Sequence, residues 1–233
     1  MFKKEEEEKF TEEPNIHPEE INKCAQFECV SKELLLKDHF LMNNPLFKIK
    51  MTELLTNFTK YRLIKRDGNC FYTSFLVNYL KNEEILEKKE FFLEINQKYS
   101  TMTKTTVVDE FYESFIFLKE SLSARDLSEV SIYEFLSSVT YLKVLIHYEL
   151  ICNEDFYQNF IEVPLSDFIN SKVNPLYIEA EDIHIQALAK LLEVKVNVFS
   201  VRNDNQGEKS EFGDGKLEIN ILNTPNHFEP IIE

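Results

Sequence analysis

The sequence predicts an α+β fold, helical through most of its length with a small, mostly antiparallel sheet at the end. Three observations lead there. Between Leu46 and Val163 there is no proline and a single glycine, Gly68. Gly and Pro are the main punctuation of the backbone, so that stretch reads as long helices. The C-terminal third then changes from helical spacing to alternation of apolar and polar residues, the period of a half-buried strand. Finally, the 233 residues contain no internal repeat and no linker long enough to divide them, so they read as one domain.

Taken in order, residues 1–18 carry the charge run of MFKKEEEEKF and read as a flexible acidic tail, leaving 19–233 as the folded domain. From 18 to 42 apolar residues recur at helical spacing (Ile21, Cys24, Ala25, Val30, Leu34, Leu35). A second helix is expected over 45–59, opened by Pro45, whose fixed φ and missing N–H suit a first turn. Further helical patterns cover 71–98, 107–123, 131–151 and 155–170, with short polar links such as 123–126 and 153–155. DIHIQALAKLLEV (182–194) is one more helix, and 195–201 follows it directly as a strand. Gly207, Gly213 and Gly215 mark an exposed loop; Leu217, Ile219 and Ile221 alternate in a second strand over 216–223. The turn NTPN then leads into a last short strand from His227. Helices first and strands last give α+β.

Composition narrows the function. Apolar residues at 43% suffice for a core and exclude wholesale disorder. A net charge of −15 and a pI near 4.9 leave no basic footprint for a phosphate backbone, which argues against nucleic-acid binding. Charges interrupt the apolar runs, so no membrane span is expected. The acidic start lacks the apolar core of a secretory signal. Four cysteines at 24, 29, 70 and 152 make no disulfide framework. The expected setting is reduced and cytoplasmic, with the nucleus as a second compartment.

RDGNCFYTSF (66–75) concentrates the chemistry. Asp67, Gly68 and Asn69 favour a tight turn, Asn69 is a good N-cap, and the apolar spacing from Phe71 onward is helical. Cys70 therefore falls in the first turn of a helix entered from a sharp loop. Free N–H groups and the positive helix end are expected to lower a thiol pKa there, and the same groups can hold an oxyanion. The alternative is that Cys70 is a small buried hydrophobe. The candidate base is His227 in TPNHFEP, at the start of a strand. Glu229 shares its face while Phe228 points the other way, so the carboxylate can accept a hydrogen bond from the imidazole. Cys24 and Cys29 with His17 and His39 do not suit zinc, because the cysteines lie on different sides of a helix. Cys152 and His147 read as core or flanking residues.

DGNCFY (67–72) resembles the nucleophile motif of the ovarian-tumour-type cysteine deubiquitinases, the otubains in particular. SKELLLKDHF (31–40), the helix leading into YRLIKRDGNCFY, 173–201 and ILNTPNHFEP (221–230) resemble otubain segments in the same order. The resemblance covers 19–233 and implies a papain-like cysteine isopeptidase acting on ubiquitin or polyubiquitin, with no cofactor or metal. In it Cys70 is the nucleophile, His227 the general base, Glu229 the orienting carboxylate and Asp67 the residue that shapes the oxyanion loop. Backbone N–H groups of Asp67, Gly68 and Cys70 supply the oxyanion hole, and His184 lies near the substrate channel as a binding residue. A ubiquitin-conjugating enzyme is a second implied partner. Departures are Glu229 for a shorter Asp or Asn, Asn226 for Gly, Thr73 and Ser74 for Arg and Ala, and Asp182 for His. The rival reading is a catalytically weak or inactive protein that binds ubiquitin or a conjugating enzyme.

Overall fold

The computed structural model describes residues 30–121, 130–201 and 209–232. The expected acidic tail, the link at 123–126 and the first part of the helix expected over 18–42 lie outside these residues. Strands β1 (Leu34–Leu35), β2 (Lys60–Tyr61), β3 (Val194–Ser200), β4 (Lys209–Phe212), β5 (Leu217–Thr224) and β6 (His227–Ile232) form one sheet in the order β1-β2-β6-β5-β3-β4. The expected strands are all present, and the sheet is mostly antiparallel. Two features differ from expectation. The Gly-containing loop includes β4, an exposed edge strand whose residues Lys209, Ser210 and Glu211 offer no apolar alternation to read. Because β4 returns the chain along β3, the next strand, β5, runs parallel to β3, pairing Val196 with Ile219 and Val198 with Ile221.

Between β5 and β6 the chain reverses through Pro225 and Asn226, and Thr224 pairs with His227. Asn226 has φ 56°, the left-handed conformation that Asn accepts more readily than most residues. That tight reversal puts His227 at the first position of β6.

The longer helices are α1 (Pro45–Leu54), α2 (Cys70–Tyr79), α3 (Lys89–Thr103), α4 (Val108–Ser121), α5 (Ile132–Cys152) and α6 (Asp182–Leu192). Asn44 caps α1 by accepting from the Leu46 N–H at 3.0 Å, with Pro45 next in line. Ser131 and Glu134 close a reciprocal capping box at α5. The single helix expected over 71–98 is two, because Asn82 starts a separate 3₁₀ turn at Glu83–Ile85. The one expected over 155–170 breaks ahead of Pro164 into single turns. Residues 30–42 are not an α-helix. They form β1 and two 3₁₀ turns, Leu36–Asp38 and Phe40–Asn43, because their backbone bonds the chain before α2: the Leu36 N–H donates to Thr59 and the Ser31 N–H to Leu63.

The sheet separates two apolar layers. On one side α2, α5 and α6 pack over Ile219 and Ile221; on the other Leu36, Leu41, Phe47 and Met51 cover Leu222 and Ile231. Alternation along β6 accordingly sends His227, Glu229 and Ile231 one way, while Phe228 meets Phe71 edge-on at 5.6 Å. By length and composition alone helix α5 could cross a membrane, although charges interrupt its apolar run. Here it is a core helix, with Leu142, Leu145, Ile146 and Leu150 fully buried.

Candidate active site

The loop before α2 is wound on itself. Asp67 Oδ1 accepts the Asn69 N–H at 2.8 Å, and the Cys70 N–H donates to the Asp67 carbonyl at 3.1 Å, so the helix begins at Cys70 as its spacing implies. Burial raises the Asp67 carboxyl above its ordinary range. Asn69 does not cap α2 with its side chain. Its Oδ1 instead accepts the N–H of Tyr177, 108 residues away, at 2.9 Å. Gly68 has no positive φ; it is required because a Cβ there would stand 2.0 Å from the Tyr177 carbonyl oxygen. Two loops remote in sequence are thus fastened together beside Cys70.

The same winding corrects the expected oxyanion hole. The Asp67 N–H donates to Lys65 at 3.0 Å and the Cys70 N–H to Asp67, so two of the three expected donors are already engaged.

Cys70 is 3% exposed. Burial pushes its thiol up to about 11, aided by the negative charges of Asp67 and Glu179; the N–H groups of Phe228 and Phe71 only partly offset this. The lowering expected from the helix end is outweighed by desolvation. His227, 1% exposed, moves the other way: burial pulls it down to about 4 despite the carboxylate of Glu229. Its Nδ1 has no hydrogen-bond partner, so the thiol is not bonded to it. Both groups rest neutral near pH 7. They are nonetheless neighbours, since the N–H of Phe228, the residue after His227, bears on the Cys70 thiol and favours its thiolate.

Glu229 is where the sequence reading and the structure part. Its Oε1 lies 3.8 Å from His227 Nε2, too far for a hydrogen bond. Its Oε2 is bonded to His39 Nε2 at 2.8 Å. The additional methylene relative to Asp carries the carboxylate past the first imidazole and into reach of the second. Although burial pushes its acid form upward, the positive potential of His39, His227 and Arg66 holds Glu229 below the usual carboxylate range. His39 lies 190 positions from Glu229, so local spacing carries no sign that the two meet.

His184 is fully buried and offers no surface to a substrate, which corrects its expected binding role. Its Nδ1 accepts the Glu181 N–H at 3.0 Å, tying the first turn of α6 to the segment that carries Tyr177. Burial, then the Lys143 charge, draws it down to about 4. Lys143 itself is 2% exposed, sits 4.0 Å over the Tyr72 ring and is pulled down to about 8 by burial. The Lys143 Nζ, Tyr72 hydroxyl and His184 Nε2 are buried without hydrogen-bond partners. Outside α6, a groove of about 870 Å³ is lined by Phe156, Phe160, Val163, Lys172 and Ile183. Cys152 is exposed rather than in the core. His39 is committed to Glu229, and Cys24, Cys29 and His17 lie outside the described residues. Among those described, no group of three His, Cys, Asp or Glu could hold a metal ion.

Comparison with known proteins finds similarity in sequence and in fold. The sequence model of the family described as peptidase C65 otubain matches residues 22–232. The ubiquitin thioesterase OTUB2 of Mus musculus is 29% identical over 179 residues, 70% of this chain and 75% of that protein. The ubiquitin thioesterase OTUB1 of Homo sapiens is 25% identical over 220 residues, 84% of this chain and 78% of that protein. In fold, the chain is similar to OTUB1 solved with ubiquitin aldehyde and UBCH5B~Ub. The TM-score is 0.73 at 20% identity, covering 92% of this chain and 94% of that one.

Proposed function

The chain belongs to the otubain family of cysteine peptidases, and from that membership we propose that it hydrolyses isopeptide bonds at the C-terminus of ubiquitin, in polyubiquitin or other conjugates. One observation carries the proposal: the backbone N–H of Phe228, the residue after His227, bears on the Cys70 thiol and favours its thiolate, so the proposed nucleophile and base come from adjoining chain segments. The relatives' names as ubiquitin thioesterases and the fold of OTUB1 bound to ubiquitin aldehyde support the same substrate. A ubiquitin-conjugating enzyme is the second proposed partner. We assign the chemistry to residues 19–233, in a reducing compartment such as the cytoplasm or nucleus, where the thiol stays reduced.

In this mechanism the ubiquitin tail reaches Cys70 and its carbonyl meets the loop 67–70. His227 Nδ1, the unpartnered ring nitrogen, takes the thiol proton. The sulfur attacks the carbonyl carbon of the terminal glycine, and the charge developing on oxygen draws the loop N–H groups outward from their internal partners. Protonated His227 gives its proton to the departing lysine amine as the C–N bond breaks. Water, deprotonated by the same ring, then attacks the thioester and releases the ubiquitin carboxylate and the thiol. No step requires a metal or organic cofactor. The groove beside α6, with Phe160 68% exposed, provides an apolar seat for the body of ubiquitin near the loop that flanks Cys70.

A second reading, a weakly active or inactive protein that binds ubiquitin or a conjugating enzyme, draws on the neutral resting pair and the missing thiol–imidazole bond. Reaction with ubiquitin bearing a C-terminal thiol-reactive group separates the two. An adduct in the wild type that is lost in Cys70→Ala and slowed in His227→Ala supports the peptidase. A folded wild type that binds ubiquitin without forming an adduct supports the binding protein.

A further inference from the structure

Each oxygen of the Glu229 carboxylate faces an imidazole, Oε1 that of His227 and Oε2 that of His39. The first contact is 3.8 Å and the second 2.8 Å, so the bonded partner of this carboxylate is His39. Glu229 is 1% exposed and His39 is 0% exposed. A buried carboxylate needs donors, and without His39 this one would have only a neighbour beyond hydrogen-bonding range.

The ring of His39 is fixed from every side. Its Nδ1 accepts the Leu41 N–H at 3.2 Å, which places the ring proton on Nε2, the nitrogen that faces Glu229. Phe40 stacks on it at 4.6 Å and Tyr61 leans against it at 4.7 Å. The 3₁₀ turn that carries these contacts is held to the sheet by Leu36 and Leu41 in the smaller apolar layer. The charged groups that bear on Glu229 are His39, His227 and Arg66. Of these three, His39 is the one hydrogen-bonded to it.

We propose that His39 is a positioning residue of the peptidase reaction, holding Glu229 by one oxygen so that the other stays directed at His227. The proposal rests on the peptidase reading above. Pinning Oε2 removes the rotational freedom that a long Glu side chain would otherwise have. A shift of roughly an ångström, as the ring turns toward the thiol and leaves the Ile64 backbone, then brings Oε1 within hydrogen-bonding range of His227 Nε2. His39 thereby compensates for a carboxylate one methylene longer than the family's usual residue. It touches neither substrate nor the reacting atoms.

The test is a pH series of kcat and KM for ubiquitin carrying a C-terminal fluorogenic amide. It compares wild type, His39→Phe, His39→Gln, Glu229→Gln and the double variant His39→Phe/Glu229→Gln. A lost charge-assisted bond predicts that His39→Phe lowers kcat by about ten- to a hundredfold with KM little changed. The acid limb of the profile moves to higher pH, because Glu229 without its donor holds a proton more tightly. His39→Gln, which extends an N–H to a similar reach, recovers most of the rate and returns the limb. With Glu229→Gln in place, His39→Phe costs little more. A folded His39→Phe with kcat within about threefold of wild type and an unmoved limb overturns the proposal. So does equal loss in the Phe and Gln variants with both folded. If His39→Phe does not fold, the Gln and Glu229→Gln profiles decide the matter. If the wild type hydrolyses nothing, the peptidase reading falls by itself. The ring-nitrogen NMR signals of His227 then report the link directly: a change on His39→Gln or Glu229→Gln supports it, and unchanged signals in both overturn it.

Discussion

The carbonyl oxygen of Tyr177 lies 2.0 Å from the position a Cβ on Gly68 would take. Both partners in that contact are backbone, so no rotamer change relieves it, and Tyr177 already holds a positive φ of 65°. Gly68→Ala is expected to lower stability by about 2 to 3 kcal/mol and to slow adduct formation with warhead-bearing ubiquitin. Urea titration alongside adduct kinetics measures both. Asn69→Ala, which removes the acceptor of the Tyr177 N–H, should cost about 1 to 2 kcal/mol and loosen the same loop.

A cysteine reacts as its thiolate, and burial has moved the Cys70 thiol up to about 11. Without ubiquitin, alkylation by a small haloacetamide should be slow at pH 8, where about one molecule in a thousand is ionised. The rate should climb tenfold per pH unit toward that pKa. His227→Ala should leave this background rate nearly unchanged, since the ring makes no bond to the sulfur. Mass spectrometry of timed samples reads the profile. A plateau reached below pH 7 would mean that the resting site already holds a thiolate–imidazolium pair.

Lys143 is a buried amine without a hydrogen-bond partner, pulled down to about 8. Its folded pKa lies below its unfolded one, so the charged form opposes folding at neutral pH. That penalty fades as pH rises through 8 toward the unfolded value. Lys143→Met is therefore expected to stabilise the protein by about 2 kcal/mol at pH 7, with the advantage shrinking toward pH 10. Paired urea titrations across that range check the sign.

Asn226 turns the chain between β5 and β6 at φ 56°. Glycine adopts that conformation without a Cβ penalty, so Asn226→Gly should raise stability by roughly 0.5 kcal/mol and leave the Cys70 reaction unaltered. A shift in urea midpoint with unchanged adduct kinetics is the expected pair of results.

How much of this was legible in the sequence follows from the range of each interaction. The turn at 67–69, the helix opening at Cys70, and His227 and Glu229 on one face of a strand are local facts, and local patterns encode them. β4 was invisible because an exposed edge strand has no apolar face to alternate. The turns at 36–43 mimic a helix in sequence because their apolar spacing is set by packing on the sheet. The sign of the thiol shift is not legible, because helix ends show in sequence while desolvation does not. His39 and Tyr177 act across 190 and 108 residues, where spacing carries no signal.

Strand β6, last of the six in chain order, lies between β2 and β5 in the sheet. During synthesis, Cys70 and the helix that carries it leave the ribosome long before the strand with His227 and Glu229. Until that strand inserts, β2 and β5 have no common neighbour, His39 has no carboxylate, and His227 is not beside the sulfur. The candidate site is therefore assembled only by the late, long-range closure of the sheet.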